Sequence, residues 1–198
     1  MFRMRSFTPL TGITIISALL IFCTSAMAAE FTADITHVAN GRTVPGKVFI
    51  KGEKIRTETM GTVTLIDTEK GTGFVLMPET QSYLEMHGLA ETAGSVTSDE
   101  RLAKIGTKEK VGTETVSGYE CDKIIVTYND TSKGKSTQWV SKKLKYPLKF
   151  VYKNGDLDVQ SELTNIKEVN LDDSLFIIPS GYKKINIPGL SSGASTQK

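Results

Sequence analysis

From residue 31 onward the chain alternates. Phe31, Ala33 and Ile35 are apolar between Thr32, Asp34 and Thr36, which is the period of a strand with one buried face. The same period returns at 47–51 (KVFIK), 54–60 (KIRTETM), 63–66 (VTLI) and in the stretch FVLMPETQSYLEM at 74–86. Asn40-Gly41 and Pro45-Gly46 bracket one turn, Gly52-Glu53 and Gly61 mark others, and Glu69 to Gly73 closes the fourth run. Strands spaced about 8–12 residues apart with a turn signal between each pair predict a meandering antiparallel sheet.

The hairpin at 74–86 raises a specific question. Parity places Phe74, Leu76, Leu84 and Met86 on one face and Val75, Met77 and Tyr83 on the other. Both faces are apolar, so both need covering.

The rhythm breaks at 88–106, which is rich in Ala, Glu and Lys. Thr97 and Glu100 have the spacing of a capping box, and Leu102 and Ile105 fall three apart, so a short helix is expected there. Strands resume at 110–116 and 119–128, the strongest run in the chain, turned by Ser117-Gly118. Further strands are expected at 136–141, 148–153 and 157–163, the last two joined by Asn154-Gly155-Asp156, a strong hairpin signal because a type I′ turn needs positive φ at both central positions. A final helical turn is expected at 172–176 with Asp172 or Asp173 as N-cap. From Gly189 the tail is small and polar, and disorder is expected over 189–198.

The first 28 residues read differently. Arg3 and Arg5 precede an apolar run at 13–22 and the small-x-small site Ala26-Met27-Ala28, the layout of a secretory signal peptide cleaved near Ala28. The run is about ten residues, short of the ~20 that span a bilayer. Phe22 before Cys23 does not fit a lipobox. The mature protein is therefore expected in the periplasm or secreted. Cleavage removes Arg3 and Arg5 from the 24 basic residues and nothing from the 22 acids, leaving a charge near zero. Nothing then recommends nucleic acid as a partner. The remaining length suits one domain, and no property of the chain calls for more than a monomer.

The residues for catalysis are sparse. Cys121 is the one cysteine left after cleavage, inside the apolar run YECDKIIVTY, where a thiol acts as a small hydrophobe. His37 and His87 lack metal spacing, and there is no G-x-S-x-G, C-x-x-C or calcium-loop pattern. Cys121 paired with a histidine is the remote hydrolase reading. Trp139 near Lys135, Lys142, Lys143 and Lys145 could stack a nucleic-acid base, but a strand tryptophan followed by a lysine-rich connection is the better reading. No enzyme, cofactor or metal is expected.

Taken in order, GKVFIKGEKIRTET, FVLMPETQSYLEM, VGTETVSGYECDKIIVTY, QWVSKKLKYPLKF and DDSLFIIPSGYKKI resemble an uncharacterised family of exported bacterial proteins with the LolA-like, outer-membrane-lipoprotein-carrier-like fold. The resemblance implies a mainly β (α+β) half-barrel over 29–188, a curved antiparallel sheet of about eleven strands with short helices on its concave face. It also implies a lipid- or lipoprotein-binding, carrier-like protein, whose partner would be an acyl chain or a lipidated protein. An envelope interaction or sensor module without lipid cargo is the alternative. The central segment 88–106 is shorter in helix than a carrier's lid, and no carrier residue is transferred. An apolar cavity alone can hold an acyl chain. Its expected lining is Val48, Ile50, Ile55, Leu76, Leu84, Met86, Trp139 and Phe150, unless these pack together as a dry core.

Overall fold

Turn residues fold the alternation back on itself. Asn40 and Gly41 have φ of 50° and 78°, and Ser117 and Gly118 of 49° and 84°, the paired positive values that a two-residue hairpin turn requires. The computed structural model describes residues 29–88, 99–155 and 157–186. The expected signal peptide at 1–28, the Thr97 end of the capping box, Asp156 and the expected disordered tail lie outside them.

Among the described residues the elements are β1 (Glu30–Ala39), β2 (Arg42–Lys51), β3 (Lys54–Thr59), β4 (Thr62–Asp67), β5 (Thr72–Met77), β6 (Ser82–Glu85), α1 (Asp99–Ile105), β7 (Gly106–Val116), β8 (Tyr119–Tyr128), β9 (Lys135–Ser141), β10 (Pro147–Asn154), β11 (Leu157–Glu168) and β12 (Lys183–Lys184). They form one open, curved, mainly antiparallel sheet in the order β12-β6-β5-β4-β3-β2-β1-β11-β10-β9-β8-β7. Two meanders, β1 to β6 and β7 to β11, meet where β1 pairs with β11. A bulge interrupts this seam, with Asn165 at a φ of 51° and its amide donating to Asp34 Oδ2 at 2.8 Å.

The sheet has twelve strands where about eleven are expected, because Lys183 and Lys184 add a short parallel strand beside β6. Pro45-Gly46 is not a turn. It lies inside β2, and pairing with β3 begins only at Gly46, so Pro45 costs that ladder no hydrogen bond. The 74–86 hairpin is also corrected. A 3-10 turn at Pro78–Thr80 and Gln81 at a φ of 46° set Met77 opposite Ser82, Leu76 opposite Tyr83 and Val75 opposite Leu84. Phe74, Leu76 and Tyr83 therefore share one face, and Val75, Met77 and Leu84 the other.

The cover for the first of these faces is the C-terminal segment. Asp172 caps a 3-10 turn at Asp173–Phe176 by accepting from Ser174 N at 2.8 Å, as the sequence predicts. Lys51 Nζ donates to the Leu171 carbonyl at 2.7 Å, Lys54 Nζ to Asp173 Oδ1 at 3.0 Å and Arg56 Nη1 to the Leu175 carbonyl at 2.9 Å. Ile178 and Tyr182 then pack on Val63, Leu65, Leu76, Phe74 and Tyr83. This strap ends in β12. A larger core joins Phe31, Ile35, Val48, Ile50 and Ile55 to Cys121, Leu144, Leu148 and Leu163.

Candidate functional site

Cross-strand partners in a sheet point to the same side, so register sorts the faces. The row Phe31, Ile50, Ile55, Ile66 and the row Leu163, Ile35, Gly46 lie on the face opposite the strap, whereas Val63 and Leu65 of β4 face it. On this face Ile35, Val48, Ile55, Ile66, Phe150 and Leu163 line a cavity of about 220 Å³. Ile66 on β4 and Phe150 on β10 are separated by five strand steps, about 24 Å in a flat sheet at ~4.8 Å per step. Both line one small cavity, so the sheet curls toward this face and makes a groove.

Of the residues expected to line a cavity, Val48, Ile55 and Phe150 do. Ile50 shares their face but is fully buried in the core beneath. Leu84 has the parity of Val75 on the same face, further toward the edge. Met86 follows the end of β6, its N–H bonded to the Gly73 carbonyl at 2.9 Å. Leu76 and Trp139 lie on the other face, and each has a physical reason for being there. Leu76 is opposite Val63 and belongs to the cluster under the strap. Trp139 is opposite Lys149 and Lys123, neighbours of opposite parity to Phe150. Its Nε1 donates to Glu114 Oε2 at 2.7 Å, and the ammonium groups of Lys123 and Lys149 stand 5.1 and 5.6 Å from its ring centroid. The Lys123 ammonium and the indole hold the Glu114 carboxyl below its ordinary range.

Sequence reasoning misses Ile35, His37, Ile66 and Leu163. A signal for the first two was present, since they continue the period-two series of Phe31 and Ala33. His37 is half-buried in the groove wall, and desolvation pushes its pKa down. Tyr146 also lines the groove, and burial pushes its hydroxyl far up. Thr57 and Ser161 are the uncharged polar members of the wall.

Cys121 is fully buried, and burial raises its thiol pKa, the reverse of an activated nucleophile. Among the described residues no group of His, Cys, Asp and Glu is placed to hold a metal ion. No helix among them is long and apolar enough to cross a membrane.

A second cavity of about 290 Å³ lies on the same face, between α1 and strands β8 and β9. It is polar where the groove is apolar, and Pro147 lines both.

Residues 26–146 match a family described as a domain of unknown function, DUF4412. The chain belongs to the DUF4412 family. No curated protein matches this DUF4412 chain. Among solved structures, an uncharacterized conserved protein from Thermus thermophilus is similar at 11% identity and a TM-score of 0.57, over 81% of this chain and 91% of that one. MucB in the MucA/MucB complex of Pseudomonas aeruginosa is similar at 16% identity and a TM-score of 0.53, over 76% of this chain. The DUF4412 chain spans 56% of that chain's length. A LolA superfamily protein from Nitrosomonas europaea is also similar, at 12% identity and a TM-score of 0.38, over 76% of this chain and 90% of that one. At these identities the likeness concerns the fold alone.

Proposed function

We propose that this DUF4412 protein is an exported, non-catalytic binding protein whose groove takes an apolar chain, from a lipid or a lipidated partner. The observation that carries the reading is the groove itself, a hollow with Ile35, Val48, Ile55, Ile66, Phe150 and Leu163 in its wall and few polar groups among them. Ligand sites are commonly apolar hollows with a small number of polar anchors. Each methylene that leaves water for such a wall contributes about 0.8 kcal/mol.

Size bounds the cargo. The groove of about 220 Å³ exceeds the ~150 Å³ apolar cavity that accepts benzene but falls below the ~300–1,000 Å³ of whole small-molecule sites. It suits one segment of an acyl chain.

Recognition of a protein through a sheet edge is the weaker reading, although a protein of this fold is known in a MucA/MucB complex. The β7 edge carries Lys108, Glu109, Lys110 and Glu114 and a bulge between Lys110 and Gly112, features that discourage strand addition. The other edge is β12, a two-residue strand too short to template a long partner.

Uptake of a neutral naphthylamine probe by the purified chain tests the proposal. Fluorescence should rise on binding and be displaced by long-chain alcohols. Thr57→Phe, which fills the groove without charging it, should weaken uptake about tenfold. A wild-type chain that takes up no probe and releases no lipid on solvent extraction would overturn the reading.

A further inference from the structure

The two cavities on the groove face are continuous in construction and opposite in polarity. The cross-strand row Phe150, Gln138, Ile124 runs from the groove into the second cavity, and the next row, Pro147, Val140, Asp122, runs beside it. The second cavity has an apolar floor of Leu102, Ile124, Val140 and Pro147 beneath a polar rim. Two of the rim's three lysines are committed. Lys108 Nζ is 2.5 Å from Asp99 Oδ1, and Lys142 pairs with Glu120 and Asp122. Asp122 is further held by Lys110 at 2.8 Å. Lys145 is different, because among the described residues its ammonium has no carboxylate partner. Its backbone is fixed nevertheless, at a φ of 54° with its N–H bonded to the Ser141 carbonyl at 2.9 Å.

Gln138 supplies an independent observation. It is 3% exposed, and among the described residues its side-chain amide makes no hydrogen bond. No fully enclosed side-chain nitrogen or oxygen among these residues lacks a partner, so the remaining exposure of this amide is the cavity it lines. A buried amide left facing a hollow costs free energy unless something polar arrives there. Serving an anion, it would act beside Lys145, the rim lysine that no carboxylate holds among the described residues.

We infer that the second cavity receives the anionic head, a carboxylate or a phosphate, of a single-chain amphiphile whose apolar part lies in the groove. Lys145 supplies the charge, Gln138 a hydrogen bond, and Pro147 the boundary between head and chain. Separately the cavities are about 290 and 220 Å³, and together they reach the ~300–1,000 Å³ range of whole-ligand sites. The inference rests on the groove reading above and adds the class of head.

The test is displacement of the neutral naphthylamine probe from the full chain by dodecanoate, dodecyl phosphate and dodecanol, with acetate and inorganic phosphate as controls that carry a head and no chain. The two anionic amphiphiles should displace at concentrations at least about tenfold below dodecanol, since charge-assisted bonds are the stronger ones. Lys145→Gln, at an exposed position, should bring that ratio close to one while dodecanol is unaffected, and Gln138→Leu should act in the same direction. Equal displacement by all three in the wild type, or a ratio unmoved by Lys145→Gln, overturns the head site and leaves the groove reading standing. Binding of inorganic phosphate without any amphiphile preference also overturns it. Failure of dodecanol and both anions alike removes the groove reading itself.

Discussion

Arg56 reaches across the outer face of the sheet and donates to the carbonyl of Leu175, 119 residues later, at 2.9 Å. Its Nε holds Glu58 Oε1 at 2.7 Å, so the guanidinium is oriented before it meets the strap. Arg56→Met keeps much of the stem and removes both bonds. About 1–2 kcal/mol of stability should be lost, within the range for a hydrogen bond to a charged group. Limited proteolysis should then cut within 171–182 earlier than in the wild type, and an unchanged cleavage pattern would sink the idea that Arg56 fastens this segment.

His37 makes the groove pH-sensitive. Desolvation lowers its folded-state pKa, whereas an unfolded histidine titrates near ~6.5. Above that value both states are neutral and the fold loses nothing. As pH falls through the interval down to the folded value, the unfolded chain takes up a proton that the folded chain resists, and stability declines. A ligand covering His37 deepens its burial, so probe affinity should fall at lower pH still, once pH passes below the folded-state value and the free chain takes up a proton that the complex resists. In His37→Leu both slopes should vanish between pH ~6.5 and the onset of acid unfolding. Titration of probe binding across this range decides the matter.

Gly46 is required for close approach. A Cβ there would fall inside contact distance of Thr59 Cγ2 and 2.5 Å from the Glu58 carbonyl oxygen. Backbone cannot step aside as a flexible side chain would. Gly46→Ala should therefore cost about 1–3 kcal/mol, the range of overpacked sites, read as a lower denaturant midpoint. A wild-type midpoint would mean that β2 and β3 separate easily.

Cys121 should be silent until the protein unfolds. Its Sγ–H donates to the Tyr119 carbonyl at 3.4 Å, and the residue is fully enclosed. A thiol reagent should react only at denaturant concentrations that unfold the sheet. Cys121→Ser places a hydroxyl in that enclosure and should destabilise by about 1–3 kcal/mol while leaving probe binding unchanged. Fast labelling of the native chain would restore the thiol as a chemical candidate.

The strands were legible because each has its own period. The sequence predicts Tyr119–Tyr128 with the bounds it has in the structure, since alternation and the flanking Ser117-Gly118 and Asn129-Asp130 all agree. The strap was not legible as cover. FIIPSGYKK has no period, and Ile178 and Tyr182 become meaningful only once Val63, Leu65 and Leu76 are assembled beneath them. The register of 74–86 failed for a local reason. Gln81 takes the left-handed conformation, and the resulting four-residue connection sets Met77 opposite Ser82, which reverses the parity assumed for the second strand. The groove was legible where one strand's alternation defines it, as at Val48 and Ile55. It was hidden where β1 meets β11, because pairing across that distance leaves no mark in either segment.

The seam between β1 and β11 also constrains how the protein is made. Asp34 and Asn165, bonded across it, are 131 residues apart in sequence. When β1 to β6 first emerge from the ribosome, the inner edge of β1 has no partner until β11 has been synthesised. Contacts of such separation form slowly, and an unpaired edge invites pairing with other chains meanwhile. Synthesis thus leaves a long interval in which the sheet is unfinished, open to chaperone capture and threadable through a pore.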